Sequence, residues 1–296
     1  MKKLLFLEVS ILSLILYLGM AWMTSANAAE TPQAEPVANQ AERIVSIDGS
    51  ITEIIYALGK QDLLVGVDTT SKYPSAATKI KKVGYMRQLS AEGILSLAPT
   101  LVIATEAAGP KEVLEQLKKA GLNVHIIHSD MSVEGVYSKI KTVAKILNAE
   151  PKGEAIITRI GNNIQRLQKE LAKHAWQTPP KVMFLLAAGH QGVMLAGKDT
   201  QADAMIKLMG GVNVVDSFTS FKPLTPEGAL QTLPDIILVA DTRGGSSVLN
   251  NFKLLQHTPA AKSNRIIQAD SMLLLGFGPR IDKAMSTLAP AFYVTR

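Results

Sequence analysis

The sequence predicts an α/β protein: two Rossmann-like lobes with mostly parallel sheets, joined by one long helix, with a ligand cleft between the lobes. Three observations carry that prediction. Short aliphatic runs bounded by turn residues alternate with amphipathic stretches over residues 43–147. The same alternation returns over residues 181–288. Between them stands a single helical pattern, Pro151 to Ala175, longer than any other in the chain. Repeated strand–helix units imply crossover connections, and these place strands parallel in a sheet.

Each element has its local reason. Arg43-Ile44-Val45-Ser46-Ile47 reads as a buried strand, and Asp48-Gly49-Ser50 as a turn with N-cap chemistry. Ile51 to Leu58 has helical spacing and stops at Gly59; Leu63 to Val67 is a second strand. Lys82-Val83-Gly84 leads to Tyr85, where a short strand is expected to give way to a helix capped by Ser90 and ended by Pro99. Thr100 to Ala104 and Val124 to Ile127 read as strands around the amphipathic helix Lys111 to Ala120. Ser132 to Leu147 is the next helix. Pro151 fits the first position of the long one, which carries Ile156, Ile157, Ile160, Ile164, Leu167 and Leu171 on one face. At 1.5 Å per residue that helix spans roughly 35 Å. After Pro179-Pro180, strands are expected at Lys181–Ala187, Val193–Ala196, Val212–Val215, Asp235–Ala240 and Arg265–Ala269. Helices are expected from Thr200 to Met209, after Thr225-Pro226-Glu227, over Leu249–Leu255 and over Pro279–Leu288. Ligands of open α/β sheets bind beyond the carboxyl ends of strands. The cleft should therefore be lined by residues 48–53, 68–74, 84–88, 105–109, 188–192, 219–224, 241–246 and 273–280.

The chain has 296 residues, 47% of them hydrophobic and 19% charged, enough for two ordinary cored domains. Lys2-Lys3, the apolar stretch Leu4 to Met23 and Ala26-Asn27-Ala28 resemble an export signal. The apolar stretch approaches membrane-spanning length, so an uncleaved anchor is the competing reading. Glu8 within it and the Ala-x-Ala site favour cleavage. The expected organisation is a signal peptide (1–28), a flexible leader (29–42), an N-terminal lobe (43–150), a linking helix (151–176) and a C-terminal lobe (177–296). The absence of cysteine excludes disulfides, thiolate metal ligands and a lipid-modified N-terminal cysteine. An exported chain of this kind is expected free in a periplasm. Its formal charge of +6 is scattered, with no basic stripe interleaved with aromatics, so nucleic acid is not an expected partner. A modest positive balance suits a small anionic ligand. The first strand is followed by Asp48-Gly49-Ser50-Ile51-Thr52 rather than a dinucleotide-binding glycine fingerprint. There is no Walker loop and no His-Glu-x-x-His, and the chain is not expected to be an enzyme.

The chemistry centres on Gly84-Tyr85-Met86-Arg87. A phenol titrates near pH ~10, and Fe(III) or an adjacent cation favours the phenolate. Tyrosinate is an axial ligand of haem iron, and Arg87 places a cation two residues away. Tyr-x-Arg alone is a weak signal and, read by itself, favours a surface tyrosine beside a solvated arginine. His190, in Gly189-His190-Gln191-Gly192, follows a strand of the second lobe and is a second candidate iron ligand from across the cleft. For an acidic ligand, Arg243 after the strand Ile236–Ala240 is the first candidate partner, with Lys222 and Arg280 behind it. Met86 and Met194 could pack on a flat apolar ligand or serve as ordinary core. His125, His128, His174 and His257 show no metal-triad spacing.

Several blocks resemble the periplasmic haem-binding proteins of bacterial haem ABC importers: GYMRQLSAEGILSLAPTLVIATEAAGP (84–110), VMLAGKDTQADAMIKLMGGVNVV (193–215), FKPLTPEGAL (221–230) and SMLLLGFGPR (271–280). The likeness runs in order over about residues 43–290. It extends to siderophore and cobalamin binders, whose two lobes are also joined by one long helix. The resemblance implies that Tyr85 is the axial ligand of ferric haem b, carried as cargo, with Arg87 supporting the phenolate and haem propionates held by basic residues. It implies docking on an inner-membrane ABC permease dimer with its ATPase through Glu53 and Glu227, one per lobe. An outer-membrane haem receptor upstream is a further expected partner. A siderophore or cobalamin binder of the same fold is the alternative, and a Rossmann-type enzyme a more distant one.

Overall fold

In a computed structural model the described residues are 42–187, 192–225, 233–242 and 253–293. The first lobe opens with β1 (Ile44–Ile47), α1 (Gly49–Ala57) and β2 (Leu64–Val67). A two-stranded hairpin follows, β3 (Gly84–Tyr85) and β4 (Gln88–Leu89), then α2 (Ala91–Leu95). The lobe continues with β5 (Leu101–Thr105), α3 (Lys111–Lys119), β6 (Asn123–Ile127) and α4 (Val133–Ile146). Its main sheet has the order β2-β1-β5-β6, and every pairing is parallel. Every residue of β1 and of β5 is buried, because helices and the hairpin cover both faces of the sheet centre. At the edge, β6 is largely half-buried or exposed. Hydroxyl caps set helix starts as the sequence suggests. Ser90 Oγ accepts from Gly93 N, Ser132 Oγ from Gly135 N (2.9 Å) and Thr200 Oγ1 from Asp203 N (3.1 Å).

The long helix α5 (Glu150–Lys173) then crosses to the second lobe. There β7 (Lys181–Ala187), β8 (Val193–Ala196), α6 (Gln201–Leu208), β9 (Val212–Asn213) and β10 (Phe221–Pro223) come first. They are followed by β11 (Ile236–Asp241), α7 (Pro259–Lys262), β12 (Ile266–Asp270), α8 (Ser271–Leu275) and α9 (Ile281–Phe292). The sheet runs β10-β8-β7-β11-β12, with β9 also on β7. It is mixed: β7 pairs in parallel with β9 and β11, and β11 with β12, whereas β8 is antiparallel to both β7 and β10. Only residues 188–192 join β7 to β8, too few for a crossover, so the chain reverses. No helix among the described residues is long and apolar enough to cross a membrane.

The lobes share a core and a polar seam. Buried side chains run from Ile51 and Ile140 through Ile160 and Ile164 of α5 to Phe184 and Leu288. The seam gathers on residues 277–282. Arg159 of α5 donates to Asp282 Oδ2 (2.7 Å) and Pro279 O (3.0 Å), and Asn163 Nδ2 to the same Asp282 oxygen (2.6 Å). Lys139 of α4, only 1% exposed, donates to Ser50 Oγ and Phe277 O, both at 3.1 Å. Burial pushes the Lys139 ammonium below the usual lysine range. The long helix is thus bonded to the second lobe along its side.

Candidate functional site

The β3–β4 hairpin carries the central residues. Tyr85 pairs with Gln88 across a tight turn, so Tyr85 and Arg87 stand on a hairpin rather than at the expected strand-to-helix junction. Gly84 has φ +103°, a conformation that side chains other than glycine rarely adopt. The hairpin is sewn to the lobe on both sides. Val83 N donates to Val67 O (3.0 Å), Thr69 N to Gly84 O (2.9 Å), Gly109 N to Met86 O (2.9 Å) and Leu89 N to Gly109 O (3.0 Å). Met86 and Leu89 anchor it in the core beneath. The Tyr85 ring is 43% exposed on this fixed base. Neither its hydroxyl nor the exposed Arg87 has a hydrogen-bond or ion-pair partner among the described residues.

Tyr85, Met86 and Arg87 open into a cavity of about 580 Å³ between the lobes. The first lobe adds Asp48, Thr69, Thr70, Lys72, residues 105–107, Ser129 and Met131. The second adds Leu186, Gln201, Phe221, Thr242 and residues 271–272 and 275–277. The strand-end rule therefore located most of the wall. Residues 129–131, which follow β6 by the same rule, went unnoticed in the sequence, as did Leu186, Gln201 and residues 271–272. At the floor, Asp48 has φ 96°, strained for a residue with a Cβ. Four bonds hold it: Oδ1 accepts from Ser50 N and Oγ, Oδ2 from Thr105 Oγ1, and its own N donates to Asp68 Oδ1. The Asp68 carboxyl is pushed up by burial. At the rim, His128 Nδ1 lies 2.7 Å from Glu106 Oε2 and Nε2 2.8 Å from Asp130 Oδ1. Those carboxylates raise the imidazole above the usual histidine range.

The remaining expected residues fare differently. His190, Glu227 and Arg243 lie outside the described residues. Lys222 does not line the cavity; its ammonium sits 4.6 Å above the Phe218 ring, while its neighbour Phe221 faces the site. Met86 lines the cavity and Met194 does not. Glu53 corrects the expectation of a surface acid. It is the fifth residue of α1, only 5% exposed, and accepts two bonds from the Arg280 guanidinium, Nε to Oε2 at 2.7 Å and Nη2 to Oε1. Arg280 also stacks 3.8 Å from the Tyr73 ring centre. Burial drives the Glu53 carboxyl up, more than Arg280 pulls it down. Both residues are committed to the seam, Arg280 included as a reserve candidate for an acidic ligand. Glu92, in the first turn of α2, is by contrast exposed. The signal for it was present: Ser90-Ala91-Glu92-Gly93 repeats the pattern of Thr225-Pro226-Glu227-Gly228.

The comparisons with known proteins agree with this geometry. The Periplasmic binding protein family matches residues 44–273. Among solved structures, the periplasmic heme-binding protein RhuT from Roseiflexus sp. RS-1 in apo form is 40% identical, with a TM-score of 0.77, over 86% of this chain and 98% of that one. The periplasmic heme-binding protein BhuT in complex with two hemes is 36% identical, with a TM-score of 0.75, over 85% and 99%. The vitamin B12-binding protein of Yersinia pestis (strain Pestoides F) is 28% identical over 221 residues, covering 74% of this chain and 76% of the relative. With most of its length matched in order and the two lobes superposable on such structures, this chain belongs to the periplasmic binding protein family, whose members are substrate-binding proteins of ABC transporters.

Proposed function

We propose that this protein captures ferric haem in the cavity between its lobes and delivers it to an inner-membrane ABC permease. The observation that carries the reading is Tyr85: an exposed phenol with no protein partner among the described residues, on a braced hairpin beside a free guanidinium. It opens into a cavity whose walls include Met86, Met131, Leu186, Phe221, Met272 and Phe277. Apolar walls suit a porphyrin face, and tyrosinate suits ferric iron. At about 580 Å³ the cavity lies within the range of small-molecule sites, roughly 300–1,000 Å³. The solved relatives named as heme-binding support the same cargo. His190 is the proposed contact from the second lobe and Arg243 the proposed propionate partner there. Export through a cleaved leader at residues 1–28 places the chain in the periplasm, where it acts by binding and not by catalysis.

Docking on the permease falls to Glu92 and Glu227 in place of Glu53. Each follows a hydroxyl residue in a Ser/Thr-x-Glu-Gly sequence, one per lobe, which is what a two-fold partner requires. The test is titration with haemin: a saturable Soret band with tyrosinate charge-transfer bands in the wild type, and loss of those bands with at least tenfold weaker binding in Tyr85→Phe. An unchanged Tyr85→Phe spectrum removes Tyr85 as ligand. The vitamin B12-binding relative supports a second reading, a corrinoid cargo. Saturable binding of cobalamin with none of haemin would establish it instead.

A further inference from the structure

A second cation of the cavity was not among the residues the sequence singled out. Lys72 lies on the loop after β2, and that loop is built in advance of any ligand. The Asp68 carboxylate, fully buried, accepts from Asp48 N (3.1 Å), Thr70 N (2.8 Å) and Ser71 Oγ (2.9 Å). Thr70 Oγ1 accepts from Gly49 N (2.9 Å), and Lys82 Nζ donates to Ser71 O (3.0 Å). Thr69 N donates to Gly84 O (2.9 Å), which locks this loop to the hairpin that bears Tyr85. Lys72 N itself donates to Thr70 O (2.9 Å). The backbone up to Lys72 is therefore fixed while its side chain stays exposed.

The Lys72 ammonium reaches across to the second lobe and donates to Thr242 O at 2.6 Å. Both residues line the cavity. An ammonium has three donors, and the Thr242 carbonyl takes one. No carboxylate pairs with Lys72 among the described residues. Lys72 and Arg87 are the cations of the cavity wall among those residues. Arg87 stands beside Tyr85, so Lys72 is the cation free to meet charge at the edge of a ligand whose faces rest on apolar walls.

We propose that Lys72 holds a carboxylate of the bound ligand, a propionate on the haem reading above, while keeping its bond to Thr242. The ligand's acid thereby joins the two lobes, and the site selects a flat apolar molecule that carries an acid at its edge. Charge-assisted bonds of this kind are stronger than neutral ones and disappear when the acid is esterified.

The experiment titrates wild type, Lys72→Met and Lys72→Arg with ferric protoporphyrin and with its dimethyl ester in the same detergent, following the Soret band. The wild type is expected to prefer the free acid by at least about tenfold, the size of one charge-assisted bond. Lys72→Met is expected to lose about tenfold of that preference, keeping what Arg243 contributes, while binding the diester as the wild type does, and Lys72→Arg to keep it in full. Diester binding by Lys72→Met also shows that the variant is folded. A preference unchanged in Lys72→Met overturns the assignment. Equal weakening for both porphyrins also overturns it, leaving Lys72 as a clamp between lobes. A wild type that binds neither porphyrin overturns the haem reading itself, and the propionate role with it.

Discussion

Arg280 and Arg87 each stand near a group that can carry negative charge, and their surroundings are opposite. Arg280 lies in the seam between the lobes, its guanidinium on the buried Glu53 carboxylate and against the Tyr73 ring. Arg87 lies at the cavity beside Tyr85, exposed, with both residues lacking a partner among the described residues. In the seam the chain satisfies its own polar groups, because a buried charge without a partner is costly. At the cavity it leaves them unsatisfied, which is tolerable only in water and becomes useful when a ligand arrives. The difference separates residues that hold the lobes together from residues that receive cargo. It also explains why an acid and an arginine 227 positions apart can be mistaken for a docking residue and a ligand-binding one.

The largest expected effect breaks the seam. Glu53→Ala leaves the partly buried Arg280 guanidinium with only the Asp270 carboxylate, 3.9 Å away, and should cost about 3 kcal/mol of stability, the lower end of the range for breaking a buried pair. Arg87→Ala should change stability by less than about 0.5 kcal/mol, as exposed side chains do. Urea denaturation of the two variants beside wild type measures both. A Glu53→Ala loss as small as that of Arg87→Ala would erase the distinction between seam and cavity.

A smaller effect sharpens it within the seam. Asp282 is 3% exposed and accepts from both Arg159 and Asn163, but Arg159 is half in solvent and can rehydrate. Asp282→Ala should therefore cost about 1.5–3 kcal/mol, the range for hydrogen bonds to a charged group. The same denaturation series tests the order, Glu53 above Asp282. Haemin affinity measured alongside should stay unchanged in Asp282→Ala, since Asp282 does not line the cavity.

How far the sequence reveals this division depends on range. Caps such as Ser90, Ser132 and Thr200 act within three residues, and the structure places helices behind each of them. Buried strands such as β5 read directly as aliphatic runs. The hairpin at Tyr85 did not, because two-residue strands are too short to show alternation. Glu53 was misread because nothing local distinguishes an acid on the buried side of α1 from one on its exposed side; the deciding partner is Arg280, supplied by the other lobe. Lys72 was passed over for the same reason. Its loop chemistry is local, but its reach to Thr242 exists only once both lobes are in place. Tyr85's place on the cavity wall was legible from its position at a strand end.

The smallest expected effect lies at the cavity rim, where His128 bridges Glu106 and Asp130 in full solvent. This is a cavity-side group that does have partners, so it tests whether pairing there contributes to folding. The two carboxylates hold the imidazole above its ordinary value near ~6.5. A histidine raised by folding contributes stability that is fully present below its unfolded value and is lost as pH rises through the folded one. Wild type should therefore melt above His128→Gln at about pH 6, and the gap should close as pH rises through the raised titration of His128. Solvent screening keeps the gap small, well under that of either seam variant. Melting curves across that range measure it, and an NMR titration of His128 fixes where it closes. A gap that persists unchanged to alkaline pH, or an imidazole titrating at or below its free value, would show that the rim carboxylates do not hold the proton on His128.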